Sequence, residues 1–456
     1  FIFFKGSDIF WTFIIYIIFF MVNLLKNIIN MQKIKVLVVP SDRTGVSYFR
    51  STKPHIVLEE QYPDEFHIDI DYQPQLDNEK WLMKYDIIHY HRTLGPFEKL
   101  KETLDRIHKL GIVTVMDLDD YWSPGKHHPA YLLIKQAEMD KKILNNIKIS
   151  KNVITTTPIF AKEIGKYNKN VFVLPNAIDP REKQYTPTPE PSERVRIGWL
   201  GGSSHLEDLK ILSGVVGRLK SDKLLDKVQF VLCGFDTRGT ITMIDQNTGK
   251  QTRRPITPLE SVWYKYEQIF TNNYTTISEG YKKHLLSFTK DEYHDVANEP
   301  YRRVWTKPIS TYATNYNLFD VSLAPLEENI FNKVKSQLKV IEAGFHKKAI
   351  IAQDFGPYQI DLNHLFLKPQ KGDTNTIIND DGNALLVNTK RNKKDWYKNI
   401  KRLIKNPDII EDLSKRLHET VVDTYSINAV TANRRKLYKK LLKNSKISEK
   451  KVVKQQ

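Results

Sequence analysis

The fold is decided by residues 320–354, which read DVSLAPLEENIFNKVKSQLKVIEAGFHKKAIIAQD. Residues 321–324 and 349–352 are short apolar runs, which predict two buried strands. Between them, apolar residues recur at helical spacing and predict a helix that opens at Ser336, whose hydroxyl suits an N-cap. Strand, helix and strand in this order form the repeating unit of a parallel α/β sheet.

The polar residues of that helix have the chemistry of an anion-binding site. A helix N-terminus presents unpaired N–H groups and a partial positive charge. Lys335 lies beside Ser336 and Lys339 is one turn further on, so a diphosphate would find hydrogen-bond donors and cationic charge together. Glu342, on the same helix face as Lys339, could accept hydrogen bonds from sugar or ribose hydroxyls. The alternative is an ordinary helix with solvated lysines.

Length and charge set the outer limits of the interpretation. A chain of 456 residues suits two or three domains, and 40% hydrophobic residues are typical of a soluble globular protein. The net charge of +17 predicts an anionic partner: a phosphorylated donor, an anionic membrane surface or nucleic acid. A solvated basic tail is the simpler explanation of that charge. Cys233 is the only cysteine, which excludes an intramolecular disulfide and a cysteine-based zinc site.

Residues 1–30 form a separate apolar segment. Residues 9–25 are almost wholly apolar and about as long as the shortest membrane span, and no cleavage site for a signal peptidase follows them. Because Met31 directly precedes the first predicted strand, translation from upstream of the real start is an equal alternative to a membrane anchor. We expect a cytoplasmic protein, at the inner face of the membrane if this segment belongs to the natural chain.

Residues 31–180 alternate between buried strands and amphipathic helices, which predicts a Rossmann-like domain. The predicted strands are residues 33–40, 67–72, 85–90, 112–116, 153–156 and 171–174. Gly45, in the loop after the first strand, lets the backbone approach a ligand or simply makes a tight turn. His91 ends the third strand, and its imidazole could exchange a proton near neutrality or serve the structure alone.

Three carboxylates follow the fourth strand, at the edge where α/β sheets bind ligands. Asp119 and Asp120 suit the sugar hydroxyls of an acceptor. Asp117 and Asp119 also fit the Asp-x-Asp motif with which GT-A glycosyltransferases hold a divalent cation against a diphosphate. Acidic residues that complement a helix N-terminus are the simplest interpretation.

Residues 181–194, rich in proline, threonine and charge, predict a linker to a second Rossmann-like domain over residues 195–425. Its first strand leads into Gly201, Gly202 and Ser203, whose backbone N–H groups could cradle a phosphate. Residues 236–308 form an aromatic-rich insertion, either a packed subdomain or a surface for an acceptor glycan. Nucleic acid is not expected there, because no nucleic-acid motif accompanies the aromatic and basic residues.

Two stretches carry a family resemblance. Residues 175–179, Pro-Asn-Ala-Ile-Asp, and the helix with Lys335, Ser336, Lys339 and Glu342 resemble the segments of family-4 (group 1) glycosyltransferases that close the first domain and bind the nucleotide-sugar. The chain departs from the family at Val334, where many members have a second glutamate. It also has Gly202 and Glu207 near the positions at which most relatives carry an arginine and a lysine.

The resemblance implies the GT-B fold, an α/β arrangement of two Rossmann-like domains facing each other across a cleft. Residues 31–180 would bind the acceptor and residues 195–425 the donor. A helix over residues 426–442 would cross back to the N-terminal domain, and a basic tail over residues 443–456, low in hydrophobic residues, is expected to be disordered.

The implied function is sugar transfer from a nucleotide-sugar to a hydroxyl of a glycan, a lipid-linked glycan or a protein, as in polysaccharide biosynthesis at the cell envelope. The resemblance implies retention of configuration and no metal or other cofactor. The implied donor site comprises Gly45, Gly201, Gly202, Ser203, Lys335, Ser336, Lys339 and Glu342. His91 would lie at the reaction centre, with Asp119 and Asp120 on the acceptor side. The alternatives are a catalytically silent nucleotide-binding protein, a GT-A-like metal-dependent transferase and a nucleotide-sugar epimerase.

Overall fold

The structure is a computed structural model that describes residues 33–245, 247–369, 375–377 and 381–453. The predicted apolar segment 1–30 lies outside the described residues. The chain divides into two compact units: one consists of the chain up to Asp117 together with the chain from Thr431 onward, and the other of Leu118–Val430. Among the described residues, no helix has the length and apolarity needed to cross a bilayer.

The strands are numbered in chain order. They are β1 (Ile34–Val39), β2 (Phe66–Ile70), β3 (Ile87–His91), β4 (Val113–Leu118), β5 (Val153–Thr155), β6 (Val171–Val173), β7 (Val195–Leu200), β8 (Val228–Phe235), β9 (Thr240–Ile244), β10 (Gln251–Pro255), β11 (Tyr301–Trp305), β12 (Val321–Ala324), β13 (Ala349–Gln353), β14 (Leu367–Pro369), β15 (Asn375–Ile377) and β16 (Leu385–Val387).

The helices are numbered in the same way. They are α1 (Gly45–Ser47), α2 (Lys53–Gln61), α3 (Glu79–Leu82), α4 (Leu100–Lys109), α5 (Tyr131–Gln136), α6 (Met139–Ile149), α7 (Pro158–Ile164), α8 (Leu206–Lys210), α9 (Val215–Ser221), α10 (Val262–Phe270), α11 (Glu279–Leu286), α12 (Ile330–Lys333), α13 (Leu338–Phe345), α14 (Asn392–Lys405), α15 (Asp408–Val421) and α16 (Ile427–Val453). One π-helical turn, Tyr48–Thr52, joins α1 to α2.

Two six-stranded sheets form the framework, in the orders β2-β1-β3-β4-β5-β6 and β11-β8-β7-β12-β13-β16. The strand pairs β1–β2, β1–β3 and β3–β4 of the first sheet are parallel. In the second sheet, β7, β8, β12 and β13 pair in parallel with their neighbours. Strands of such sheets are covered on both faces, so they are continuous apolar runs rather than alternating ones. The α/β class with two Rossmann-like halves is therefore confirmed.

The stretch that decided the fold lies in the second sheet as expected. Strands β12 and β13 pair in parallel, with Val321 opposite Ala349. Helix α13 connects them and buries Val340, Ile341 and Phe345. The prediction that Ser336 caps this helix is wrong: α13 begins at Leu338, with Gln337 at the N-cap position and no side-chain cap. The Ser336 hydroxyl instead accepts a hydrogen bond from Nδ2 of Asn176 at 3.1 Å.

Two other segments differ from their predicted description. The range predicted as an insertion, residues 236–308, includes β11, which is an edge strand of the second sheet and pairs in parallel with β8. Helix α16 continues to Val453, beyond the predicted end at residue 442. No glycine or proline interrupts residues 443–453, so nothing in the backbone chemistry ends the helix there.

Most of helix α16 lies in the first compact unit, together with strands β1 to β3. The chain from Thr431 onward is part of the first compact unit, which confirms the predicted crossing helix. Within that unit, the guanidinium of Arg435 binds both carboxylate oxygens of Glu65, and the hydroxyl of Tyr438 lies 2.6 Å from Nε2 of His55. His55 and Tyr438 are fully buried, so the helix contributes to the interior of that unit and not only to its surface.

Helix α13 packs closely on α15 at Gly344. A Cβ atom added at Gly344 would lie 2.4 Å from Cγ2 of Val421 and 3.1 Å from the carbonyl oxygen of Leu417. We therefore expect Gly344→Ala to lower the free energy of unfolding by roughly 1–3 kcal/mol, as measured by urea denaturation. The matched control is Gly217→Ala in α9, where the added Cβ would meet only the side-chain end of Asn272. If the urea midpoint of Gly344→Ala equals that of the unchanged protein, α13 and α15 pack less closely than the 2.4 Å distance indicates.

Candidate functional site

The glycine loop after β7 is closed by a tyrosine from α10. The hydroxyl of Tyr266 accepts a hydrogen bond from the backbone N–H of His205 at 2.8 Å and donates to the carbonyl oxygen of Gly202 at 3.3 Å. Tyr266 is fully buried and packs edge-on against Trp199 of β7. The loop is thus fixed at both ends, while a Cβ added at Gly202 would meet nothing within 4 Å. The backbone at Gly202 is therefore open to a ligand.

Lys339 of α13 reaches the same loop. Its ammonium group donates to the carbonyl oxygen of Leu200 and lies 4.8 Å from the centre of the Trp199 ring. A Cβ added at Gly201 would lie 2.5 Å from the Trp199 ring and 3.1 Å from Nζ of Lys339, so the buried Trp199 ring is what requires glycine there. Burial lowers the pKa of Lys339 to about 8, although the charge of Glu342 acts in the opposite direction. At pH 7 the ammonium form of Lys339 still predominates, but by a much smaller margin than in an exposed lysine.

Lys335 borders a cavity of about 160 Å³ beside the loop. The cavity is lined by Gly125, His127, His128, Ser204, Glu207, Asp208, Glu327, Asn329, Phe331, Asn332 and Lys335. The ammonium group of Lys335 lies 5.1 Å from the centre of the Phe331 ring. Burial lowers the pKa of His128, and the charge of Lys335 adds to that effect. The cavity therefore combines one lysine with polar groups and a neutral histidine.

Glu342 is nearly enclosed rather than presented to solvent. It is 4% exposed, and its carboxylate oxygens accept hydrogen bonds from the hydroxyls of Tyr312 and, at 3.0 Å, Tyr316. Burial raises the pKa of Glu342, while those hydrogen bonds and the charge of Lys339 oppose the rise. Each oxygen of a carboxylate can accept a further hydrogen bond, so the predicted contact with a ribose hydroxyl stays a prediction.

The predicted catalytic histidine lies at the end of β3 in the first unit. His91 is 1% exposed, and its Nδ1 is 2.7 Å from the hydroxyl of Ser41, in the loop after β1. Gly45, in the same unit, begins α1. Asp119 and Asp120 follow β4 and are half-buried. The roles predicted for these residues stay predictions.

Asp117 does not have the surroundings that the metal-binding alternative requires. It is fully buried in the first unit, and its two oxygens accept hydrogen bonds from Nε and Nη2 of Arg50 at 3.0 and 3.1 Å. Nε2 of His89 lies 3.5 Å from the same carboxylate. The Asp-x-Asp interpretation of Asp117 and Asp119 is therefore wrong for Asp117, whose charge is neutralised by a buried arginine. Within the described residues, no group of three or more acidic, histidine or cysteine side chains is arranged to hold a metal ion.

The Arg50–Asp117 pair predicts a loss of stability, rather than a loss of metal affinity, on substitution. Because Asp117→Asn leaves the Arg50 charge buried without its counter-ion, we expect unfolding to become easier by about 3 kcal/mol in denaturant titrations. Asp105→Asn, which removes the exposed partner of Lys101, is the control and should not move the midpoint. A stability of Asp117→Asn equal to that of the unchanged protein would contradict the buried-pair assignment.

Several site residues were not identified from the sequence. They are Asn176, His205, Asp208, Tyr266, Tyr312 and Tyr316. Only the His205–Asp208 pair leaves a local signal, because residues three apart at a helix start lie on one face. The tyrosines come from distant parts of the chain, and their pairing with Glu342 and the glycine loop depends on the tertiary fold.

The fold is similar to that of several solved structures. No protein-family model matches the chain, and the search of the curated proteins found no match either. Among solved structures, the chain is similar to sucrose-phosphate synthase from Thermosynechococcus elongatus, with 13% identity, a TM-score of 0.54 and coverage of 91% of this chain and 100% of that one.

It is also similar to HepE from Anabaena in its complex with UDP, with 12% identity, a TM-score of 0.52 and coverage of 90% and 100% of the two chains. For the HepE complex with UDP-glucose, the TM-score is 0.51 at 12% identity, with coverage of 90% and 99%. At these identities the likeness concerns the fold. It confirms the predicted GT-B architecture of two Rossmann-like domains.

Proposed function

We propose that the protein is a glycosyltransferase that moves a sugar from a nucleotide-sugar to an acceptor hydroxyl. The observation that carries this proposal is the convergence of Lys339 and Lys335 with the glycine loop of the second sheet. Among the described residues neither lysine forms an ion pair; Lys339 reaches the loop whose backbone is open at Gly202, and Lys335 borders the cavity beside it. A diphosphate supplies the missing negative charge and accepts hydrogen bonds from backbone N–H groups.

The solved structures with this fold support a donor of that chemistry. HepE was solved with UDP and with UDP-glucose, and the other similar structure is a sucrose-phosphate synthase. UDP-sugars are therefore the first donors to test. The acceptor we propose is a hydroxyl of a glycan, a lipid-linked glycan or a protein.

In the proposed mechanism, the protein holds the donor, stabilises the leaving diphosphate and positions the acceptor. The loop residues Gly201, Gly202 and Ser203 bind the diphosphate together with Lys335 and Lys339. Ser336 belongs to the same donor side, and Glu342 accepts from the ribose.

On the acceptor side, we assign Asp119 and Asp120 to the hydroxyl groups of the acceptor and His91 to the reaction centre. Gly45 is assigned to the donor side. The reaction proceeds with retention and without a metal ion, and a phosphate oxygen of the donor helps to deprotonate the acceptor. The substitution of valine for the first glutamate argues for a second candidate, a catalytically silent protein that binds a nucleotide-sugar. Val334 is almost fully buried, so its side chain has no contact to offer a sugar hydroxyl.

Ligand-induced stabilisation tests the donor proposal directly. We expect UDP-glucose or another nucleoside-diphosphate sugar to raise the unfolding temperature, since a ligand that binds the native state alone stabilises it. Lys335→Ala combined with Lys339→Ala should abolish this rise because the diphosphate loses both cations. The control, Lys333→Ala, removes an exposed lysine two residues from Lys335 and should preserve it.

Turnover separates the two candidate functions. Release of UDP from UDP-glucose, with or without an added acceptor, supports the transferase. Donor stabilisation without any turnover supports the silent protein, and the absence of stabilisation by every nucleoside-diphosphate sugar contradicts both. Turnover that survives EDTA supports the metal-independent mechanism.

The pKa of Lys339 predicts the pH dependence of donor binding. Because that pKa is lowered to about 8, the ammonium is fully charged at pH 7 and largely lost at pH 9. We expect the Kd for UDP-glucose to rise roughly tenfold over this interval, close to one decade per pH unit above the pKa. Lys339→Arg keeps its charge and should give a nearly flat profile. An equally steep rise in that variant would assign the effect to another group.

A further inference from the structure

One histidine of the glycine loop is oriented by a carboxylate. Nδ1 of His205 lies 2.7 Å from Oδ2 of Asp208, one turn further along α8. The other oxygen of Asp208 accepts from the backbone N–H of Glu327 at 2.7 Å and from Nδ2 of Asn332 at 2.9 Å. Since Asp208 receives donors on both oxygens, it fixes Nδ1 as the protonated nitrogen of His205. Nε2 is then the nitrogen available to a ligand.

Burial and nearby cations keep this imidazole neutral. Burial lowers the pKa of His205 to about 4, and the charges of Lys335 and Lys339 add to this effect, whereas Asp208 opposes it. The side chain keeps 16% of its surface exposed. The other titratable groups nearby are Tyr266, whose hydroxyl binds the backbone of His205, and Glu207, which is paired with Lys210.

The charges around His205 are therefore arranged for an anion. Burial raises the pKa of Asp208, but the hydrogen bond from His205 and the charge of Lys335 outweigh it, so the pKa is lowered and Asp208 stays ionised. Ser204, next to His205 in the chain, and Asp208 line the cavity that Lys335 borders. The His205 ring packs edge-on against Trp199, whose ring centre lies 4.8 Å from the Lys339 ammonium. An anion placed there would reverse the electrostatic balance at His205, because its charge would screen the two lysines and attract a proton to Nε2.

We infer that His205 binds the donor diphosphate as an imidazolium, so that donor binding takes up one proton from solvent. The inference rests on the proposed function and deepens it. The proton adds to the lone pair of Nε2 and is shared with a phosphate oxygen, while the Nδ1 proton stays directed at Asp208. Apart from this N–H bond no bond forms or breaks, and the proton returns to solvent when the diphosphate leaves. His205 is a binding residue, and Asp208 is the residue that positions it.

Proton uptake can be measured by calorimetry. UDP-glucose is titrated into the full chain at about pH 5.5 and 6.5, in pairs of buffers that differ in ionisation enthalpy. GDP-mannose is titrated in parallel, so that a donor site that prefers a purine nucleotide is also tested. The diphosphates of both probes are diesters that do not titrate in this range, so the buffer dependence reports protein groups alone. We expect uptake close to one proton at the lower pH, between the free and bound pKa values of His205.

Substitutions at His205 and Asp208 identify the residue that takes up the proton. His205→Gln should abolish the uptake and weaken binding about tenfold or more. Asp208→Asn should reduce the uptake, because the imidazolium loses its counter-charge, even if binding is only mildly weakened. The matched control is His67→Gln, which removes another histidine whose Nδ1 lies 2.9 Å from a carboxylate, that of Glu59. Its uptake should equal that of the unchanged protein.

Other results would overturn the role of His205. They can be distinguished from a failure of the proposed function by whether a nucleotide-sugar binds at all. Binding of either probe without proton uptake, or uptake that persists in His205→Gln, contradicts the role of His205 while leaving donor binding intact. Uptake that disappears in His128→Gln instead would assign the proton to His128, which lines the cavity. If neither probe binds the unchanged protein, the proposed function fails and this inference fails with it.

Discussion

The arrangement that the candidate site depends on is a pair of lysines without ion-pair partners, among the described residues, beside a glycine loop. Burial lowers the pKa of Lys339, and the charge of Lys335 adds to this effect while that of Glu342 opposes it. The nearby carboxylates are already engaged, Glu342 by two tyrosines and Asp208 by His205 and Asn332. Like charges held close together in a partly buried place destabilise the folded state. An anion bound beside the lysines would reduce this cost.

Much of the framework could be predicted from the sequence because buried parallel strands are continuous apolar runs. Strands β12 and β13 and the glycine loop after β7 follow from such runs and from the breaks between them. Strand β11 could not be recognised in this way. Its sequence, Tyr-Arg-Arg-Val-Trp, has the polar residues of an edge strand, and the four residues after the buried Tyr301 are only half-buried.

The sequence predicts those residues of the candidate site whose chemistry is local. It does not predict the contacts between residues that are distant along the chain. The two lysines and the glycines could be read from their spacing. The start of α13 could not, because Ser336 has a tertiary partner in Asn176, 160 positions away, and gives up the capping role. The tyrosines on Glu342 come from residues 312–318, and Asp208 is fixed by residues more than a hundred positions further on. Asp117 shows the same limit, since a motif does not reveal that burial next to Arg50 has already neutralised the acid.

The glycine loop and the two lysines have complementary features at the candidate site. The loop after β7 is open at Gly202, and the cations lie on the segment of Lys335 and Lys339. A loop without long side chains can approach a diphosphate through its backbone, while the two lysines supply the charge. That division requires the loop to be rigid, because backbone donors bind an anion well only when they are already aligned. Tyr266 supplies the rigidity by bridging Gly202 and His205, which makes this buried tyrosine as much a part of the site as the lysines.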